Sequence, residues 1–342
     1  MSVGRSFGET NPGRKRRRNE DSFVCEPPLF AVADGMGGAQ AGEIASSLAA
    51  SAVSNGLNGR EVAPDEAENL VVRLIQDANR SVHDRATNDA AASGMGTTLT
   101  VALARRDDVV AIGHVGDSRA YLLRGGQLEQ LTDDHSLVAE LVRRGELSPQ
   151  EAEVHPQRSV ITRALGTDPD VDVDVFSVEA RSGDIFLLCS DGLSTMVDAD
   201  SIAELVERNR GSLQAATRAL IKAANDGGGE DNITAVLFEI DGRVVEEEPT
   251  RESALEDDTL HGETRALPEP VAASADGEDE GDTVIVSANE LQAALAEQEG
   301  EAAVAAEPEQ QPVPFGRLVL ATLVIIALAA LVVVLAVWGL AR

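Results

Sequence analysis

Apolar and polar residues alternate along "TTLTVALARRDDVVAIGHVGDSRAYLLRGGQLEQLT", Thr97 to Thr132, and the interruptions "RRDD", "GDS" and "RGG" cut the alternation into short lengths. A period of two sends successive side chains to opposite faces of a strand, and such short interruptions leave room only for tight turns. The stretch therefore predicts a meander of antiparallel strands. Further strand-like runs are "DSFVCE", "LFAVA", "VDVDVFSVEA", "DIFLLCS" and "NITAVLFEI". Helical spacing of apolar residues falls at Ala41 to Leu57, Asp65 to Ala92, Ser136 to Arg144, Ser201 to Asn209 and Ser212 to Asn225, with Ser201 and Ser212 placed as helix-start residues. Strands come in groups and helices in pairs. That order predicts an α+β fold, a central sandwich of two antiparallel sheets flanked by helices (α-β-β-α), and no internal repeat interrupts it.

The pattern stops near residue 241. From Gly242 to Pro314 the chain has twenty acidic residues, three arginines and no lysine, with hardly any clustered aliphatics. Such a segment buries too little apolar surface to offset its ordering entropy, so it reads as a disordered acidic linker. Beyond it, "LVLATLVIIALAALVVVLAVWGL", Leu318 to Leu340, runs 23 residues without a charge between Arg317 and Arg342. At about 1.5 Å per residue it reaches roughly 34 Å, against a hydrocarbon core of about 30 Å. The expectation is a single membrane-spanning helix; a buried core helix or a removable lipid-anchor signal are the alternatives. The organisation is thus residues 1–241, one folded domain; 242–314, linker; 315–342, membrane helix.

Composition adds three restrictions. The 342 residues are 43% hydrophobic, ample for a core, and carry a formal charge of −31. The linker takes −17 of that and the last stretch +2, which leaves −16 on the folded part and argues against a general nucleic-acid binder. The N-terminus "MSVGRSFGETNPGRKRRR" has no apolar segment of the kind a secretion signal needs, so the folded domain is expected on the cytoplasmic side of the membrane. Cys25 and Cys189 both sit in strand-like runs, as core residues of a reducing compartment do.

One feature recurs where strands end. Asp34 follows "LFAVA", Asp117 follows "VVAIGHVG", Asp191 follows "DIFLLCS", Asp21 precedes "SFVC" with Glu20 beside it, and Asp231 precedes "NITAVLFEI". Asp-Gly is a common turn pair, and five unrelated turn aspartates would leave the same trace. If instead the strand ends meet at one edge, their carboxylates repel and need a positive partner. Oxygen donors without a His or Cys cluster suit Mg2+ or Mn2+ rather than zinc, and more than four carboxylates imply more than one ion. Gly35 and its neighbours let backbone approach such an ion and offer a carbonyl. Other chemistries lack their residues: six positions after Cys25 and Cys189 stand Ala31 and Thr195 rather than arginine, neither Lys15 nor Lys222 follows a glycine, and no His-Glu-x-x-His occurs.

At these residues the chain resembles the metal-dependent (type 2C, PPM) Ser/Thr protein phosphatases, in their bacterial branch. The stretches are "RRNEDSF", "AVADGMGG", "GMGTTLTVAL", "HVGDSRAYLL", "DDHSLV", "HPQRSVITRALG", "FLLCSDGL" and "GGGEDNITAVLF", in family order across residues 1–241. The resemblance implies that Asp34, the Gly35 carbonyl, Asp191 and Asp231 hold a two-metal centre of Mn2+ or Mg2+. Asp21, with Glu20 alongside, positions metal-bound water, Asp117 shares a third ion with Asp191, and Asn232 supports the site. Arg16 is matched to the arginine that grips the substrate phosphate; the rest of "RKRRR", Arg14 to Arg18, is read as a solvated face or an aid for acidic substrates. It further implies hydrolysis of phosphoserine and phosphothreonine in proteins by a water held between two metals. The expected partners are phosphorylated proteins, among them Ser/Thr kinases and their substrates. A scaffold that binds phosphoproteins without turnover is the competing class. Two departures stand out: Met36 occupies the place of a histidine in eukaryotic members, leaving the general acid open, and Ser159 replaces a usual asparagine in the flap, Ser136 to Gly166. His135 and His155 read as structural loop histidines and receive no role.

Overall fold

The strand "IFLLC", Ile185–Cys189, is buried at all five positions, and "LTVALA", Leu99–Ala104, at all six. A strand apolar at every position has both faces covered, and the computed structural model shows how. It describes residues 2–37, 41–57, 66–105, 108–242 and 284–285. In chain order the strands are β1 (Ser2–Asn11), β2 (Asp21–Glu26), β3 (Leu29–Met36), β4 (Gly96–Thr97), β5 (Leu99–Ala104), β6 (Val109–Val115), β7 (Arg119–Arg124), β8 (Gln127–Gln130), β9 (Val160–Ile161), β10 (Asp174–Glu179), β11 (Ile185–Cys189), β12 (Ile233–Asp241) and β13 (Val284–Ile285). The helices are α1 (Ala41–Leu57), α2 (Ala67–Asn88), α3 (Leu137–Arg143), α4 (Pro149–Glu153), α5 (Asp191–Ser194), α6 (Ala199–Arg208) and α7 (Leu213–Asp226).

One sheet runs β1-β12-β11-β7-β8 and the other β10-β6-β5-β3-β2, with β4 added to β3. Every pairing within these two sheets is antiparallel. Alternate side chains sort into three apolar layers. Phe30 and Val32 of β3, Ile112 of β6, Phe186 and Leu188 of β11, and Val236 and Phe238 of β12 fill the space between the sheets. Leu29, Ala31 and Ala33, one residue out of step, face outward to Val71, Leu74 and Ile75 of α2 and Ala45, Ala49 and Val53 of α1. Leu187, Ala235 and Leu237 face outward on the other side to Ile202 and Val206 of α6 and Ala216 and Leu220 of α7. At the centre Phe238 stacks on Phe30 at 4.1 Å and on Phe186 at 5.0 Å. The predicted four-layer α-β-β-α arrangement is thus the observed one.

Boundaries differ in instructive places. Ser212 does cap its helix, accepting the Ala215 N–H, but α6 starts two residues before Ser201, because Asp198 caps it by accepting the Ser201 N–H at 2.9 Å. Not anticipated were β1, an only partly buried strand paired to β12, and the short helices α4 and α5. The chain divides into Met1–Ala288 and Asn289–Arg342, and all described residues belong to the first unit. The proposed membrane segment, Leu318–Leu340, and the acidic linker lie outside the described residues, save Gly242 and Val284–Ile285; the latter pairs parallel to β9, whereas the sequence predicts disorder throughout the linker. Among the described residues no helix is long and apolar enough to cross a membrane.

Candidate active site

Strand register and three close backbone contacts bring the aspartates together. Asp21 opens β2 directly opposite Asp34 on β3. After Asp34 the chain passes Gly35, where a Cβ would stand 2.1 Å from the Gly42 carbonyl at the start of α1 and 2.6 Å from that of Glu20. Only glycine fits there, and the Gly35 N–H donates to the Glu20 carbonyl at 3.2 Å. On the other sheet Asp191 begins α5, and a Cβ on Gly192 would meet the Asn232 carbonyl at 2.0 Å, so this turn lies hard against Asp231–Asn232. Gly13, at φ +75°, makes the matching approach from the N-terminal loop to the Asp231 carbonyl. Asp117 sits in the β6–β7 turn beside Gly116, whose φ is +110°.

These carboxylates feel one another. Burial, and after it the charges of Asp21, Asp191, Asp231 and Asp117, hold Asp34 well above the ordinary carboxylate range. Burial followed by Asp117, Asp231 and Asp21 does the same to Asp191. Asp21 is pushed up to about 6 by burial, although the Thr234 and Ser190 hydroxyls donate to its Oδ2 at 2.6 and 2.8 Å and pull the other way. Burial and then Asp134 push Asp117 up to about 7. Asp21 Oδ1 and Asp191 Oδ1 are buried without any hydrogen-bond partner. Buried carboxylate oxygens are normally satisfied, so two orphans in one acidic cluster mark a place for something positive. Among the described residues no three His, Cys, Asp or Glu side chains form a ready-made cation cage. Asp21 Oδ2 is taken by two hydroxyls and Asp231 Oδ2 by Arg16, so the groups meet as repelling neighbours rather than as a closed coordination shell.

Arg16 Nη2 donates to Asp231 Oδ2 at 2.9 Å, which puts the guanidinium on the rim of the cluster. Asn232 joins three strands of chain: its Oδ1 accepts the Glu20 N–H at 2.8 Å, and its Nδ2 donates to the carbonyls of Pro12 and Arg18 at 3.0 and 2.8 Å. That explains how the basic loop stays beside Asp231. Within it Arg14 and Lys15 are exposed but ion-paired, to Asp226 at 3.0 Å and Glu230 at 2.5 Å. Met36 is buried against Ile161 and Ala164 of the flap. Ser159 is exposed, and the His155 ring accepts the N–H of Gln157 in its own loop. Sequence reading missed Ser190, Thr234 and Thr98, whose hydroxyl accepts the Asp34 N–H at 2.9 Å. Their one signal is polarity inside otherwise apolar runs.

Two stacked antiparallel sheets with helices outside, and a carboxylate cluster with an arginine at the sheet ends, define a class: the metal-dependent phosphohydrolases of α-β-β-α architecture. The comparisons give the family. Residues 14–234 match the family model described as protein phosphatase 2C. The serine/threonine phosphatase stp of Listeria monocytogenes is 42% identical over 239 residues, which are 68% of this chain and 94% of that protein. The serine/threonine protein phosphatase PstP of Mycobacterium tuberculosis is 39% identical over 241 residues, 70% of this chain and 45% of that one. The crystal structure of the Mycobacterium tuberculosis phosphatase PstP/Ppp superposes with a TM-score of 0.66 at 36% identity, covering 70% of this chain and 100% of the other. A second structure, the PstP catalytic domain in complex with two manganese ions, has a TM-score of 0.64 at 36% identity, with the same coverage of 70% and 100%. The chain belongs to the protein phosphatase 2C family, and is a phosphoric monoester hydrolase.

Proposed function

We propose that the chain removes phosphate from phosphoserine and phosphothreonine in proteins, with Mn2+ or Mg2+ held by Asp34, the Gly35 carbonyl, Asp191 and Asp231. Asp21 and Glu20 orient water at that centre, and Asp117 with Asp191 holds a third ion. One observation carries the reading: Asp21 Oδ1 and Asp191 Oδ1 are buried, unpartnered and set among carboxylates that repel each other. An oxygen-only donor set fits hard divalent ions, and the Gly35 carbonyl would add a backbone oxygen to it. When bound, such ions neutralise phosphoryl charge and acidify water to near-neutral pKa for in-line attack on phosphorus. Arg16 contributes a planar fork of N–H donors that matches phosphoryl oxygens. Asn232 keeps the Arg16 loop in place, and the Ser190 and Thr234 hydroxyls fix one Asp21 oxygen so that the other stays available. Met36 has no proton to give, so the leaving serine or threonine oxygen takes its proton from another source.

Phosphate release from a phosphothreonine peptide tests this. Turnover with Mn2+, lost on chelation and in Asp191→Ala, is the expected result; binding of the peptide without turnover would favour the scaffold reading.

We further propose that Leu318–Leu340 spans a membrane and that residues 242–314 tether the catalytic domain to its cytoplasmic face. With Val284–Ile285 paired to β9, a flexible tether would begin after it, and the 29 residues 286–314 would reach roughly 27–32 Å, more when like charges stretch them. The enzyme would then patrol a shell near the bilayer, where it opposes Ser/Thr protein kinases.

A further inference from the structure

His135, buried to 2% exposure, joins three separate parts of the molecule. Its ring Nδ1 accepts the N–H of Gly116 at 3.0 Å, and its own N–H donates to the Gly116 carbonyl at 2.8 Å. Both peptide groups of the residue that precedes Asp117 are therefore held by one residue. Gly116 itself, at φ +110°, leaves no room for another residue, since a Cβ there would lie 2.6 Å from Thr98. On the opposite side the His135 carbonyl accepts the Thr162 N–H at 2.9 Å, and the next residue, Ser136, bridges to Ile161. These are the two roots of the flap. With Nδ1 as the acceptor the ring proton belongs on Nε2, 3.1 Å from Asp174 Oδ2; Arg163 Nη1, in the returning arm of the flap, lies 3.0 Å from the same Nε2 and donates to Asp174 Oδ1 at 2.5 Å. The flap's underside in turn packs Ile161 and Ala164 on Met36, one residue beyond Gly35.

We propose that His135 is a positioning residue that ties the Asp117 turn to the base of the Ser136–Gly166 flap. One side chain then sets both the ion-binding geometry at Asp117 and the placement of the flap over a phosphoprotein. The first half rests on the reading of Asp117 as an ion ligand; the second does not. An amide in place of the ring separates the two halves. His135→Asn keeps an acceptor where Nδ1 stands and loses the reach to Asp174. His135→Gln does the reverse.

The test uses the full chain and four variants, His135→Asn, His135→Gln, Asp174→Ala and Asp117→Ala. Mn2+ binding is followed by calorimetry, folding by thermal melting, and kcat and KM on a phosphothreonine peptide and on a small aryl phosphate. In His135→Gln, the Mn2+ site that Asp117→Ala deletes should weaken about ten- to a hundredfold, as loss of an outer-sphere partner does elsewhere. In His135→Asn that site should keep its affinity. His135→Asn and Asp174→Ala should both raise KM for the peptide and leave KM for the aryl phosphate unchanged. Wild-type Mn2+ affinity in His135→Gln, or a KM that moves alike for both substrates, would overturn the proposal, as would melting losses with no other change. If Asp117→Ala deletes no Mn2+ site, the ion-ligand reading of Asp117 fails instead, and the flap tie stands or falls on the KM split alone. Asp174 is half-exposed, so its variant keeps the test decisive even if a His135 variant fails to fold.

Discussion

Asp191 works against the fold whenever no cation is bound, since burial and the charges of Asp117, Asp231 and Asp21 all disfavour its ionised form. Asp191→Asn should therefore abolish turnover yet raise the melting temperature of the cation-free protein at pH 8, by roughly 2–4 °C per kcal/mol relieved. A lower melting temperature would show that the cluster is not under repulsion. The same physics sets a pH dependence. Asp21 and Asp117 rise from an ordinary 3.8 to about 6 and about 7. Between those values the folded chain holds more protons than the unfolded one, so these groups withdraw stability as pH rises and do so fully above about 7. A cation must displace the same protons, so the Mn2+-induced rise in melting temperature should be larger at pH 8 than at pH 5. Equal shifts would contradict this. Gly35→Ala meets backbone at 2.1 Å and should cost about 1–3 kcal/mol or more, with turnover lost, as denaturant unfolding and phosphate release would report. Each of the five aspartates was legible because a carboxylate after an apolar run is conspicuous. Ser190 and Thr234 were not, because a hydroxyl inside a strand looks the same whether or not it serves a carboxylate.

At the scale of elements, the sandwich depends on strands that are apolar on both faces. Phe238 is fully buried between two ring partners, and Phe238→Ala should destabilise by about 3–5 kcal/mol in denaturant unfolding. A cost near zero would mean that the sheets do not pack through it. The central strands were readable from such runs. The first strand was not: Ser2–Asn11 is a partly exposed edge containing Gly4 and Gly8, and a Cβ on Gly8 would lie 2.7 Å from the Phe23 ring. Its glycine answers to packing from another strand, which nothing local announces. The helix starts divide in the same way. Ser212 caps its helix, whereas Ser201 lies inside the first turn behind Asp198, and both positions carry a residue type suited to capping.

For the whole molecule the proposal of a tethered enzyme makes a separable claim. Full-length chain should sediment with membranes and a chain ending before Phe315 should remain in the supernatant, with kcat on a soluble phosphopeptide unchanged. A truncated chain without activity would show that the catalytic domain depends on the C-terminal residues. The folded domain carries −16, so basic residues near its site count more than their number suggests: Arg14 and Lys15 are ion-paired to acids outside the cluster, while Arg16 is ion-paired to one inside it.

Apolar periodicity is local, and it was enough to determine the kinds of element, their grouping into two antiparallel sheets with outer helices, and the positions of five aspartates at strand ends. Which of those ends share one place was decided by tertiary structure, through register that sets Asp21 opposite Asp34 and through glycines that let Gly35 reach Gly42 and Gly192 reach Asn232. The same holds for His135, whose partners Gly116, Thr162 and Asp174 lie on three different segments. Side-chain chemistry is written residue by residue, but repulsion, burial and hydrogen bonding depend on distance in space, and that distance exists only once the chain has folded.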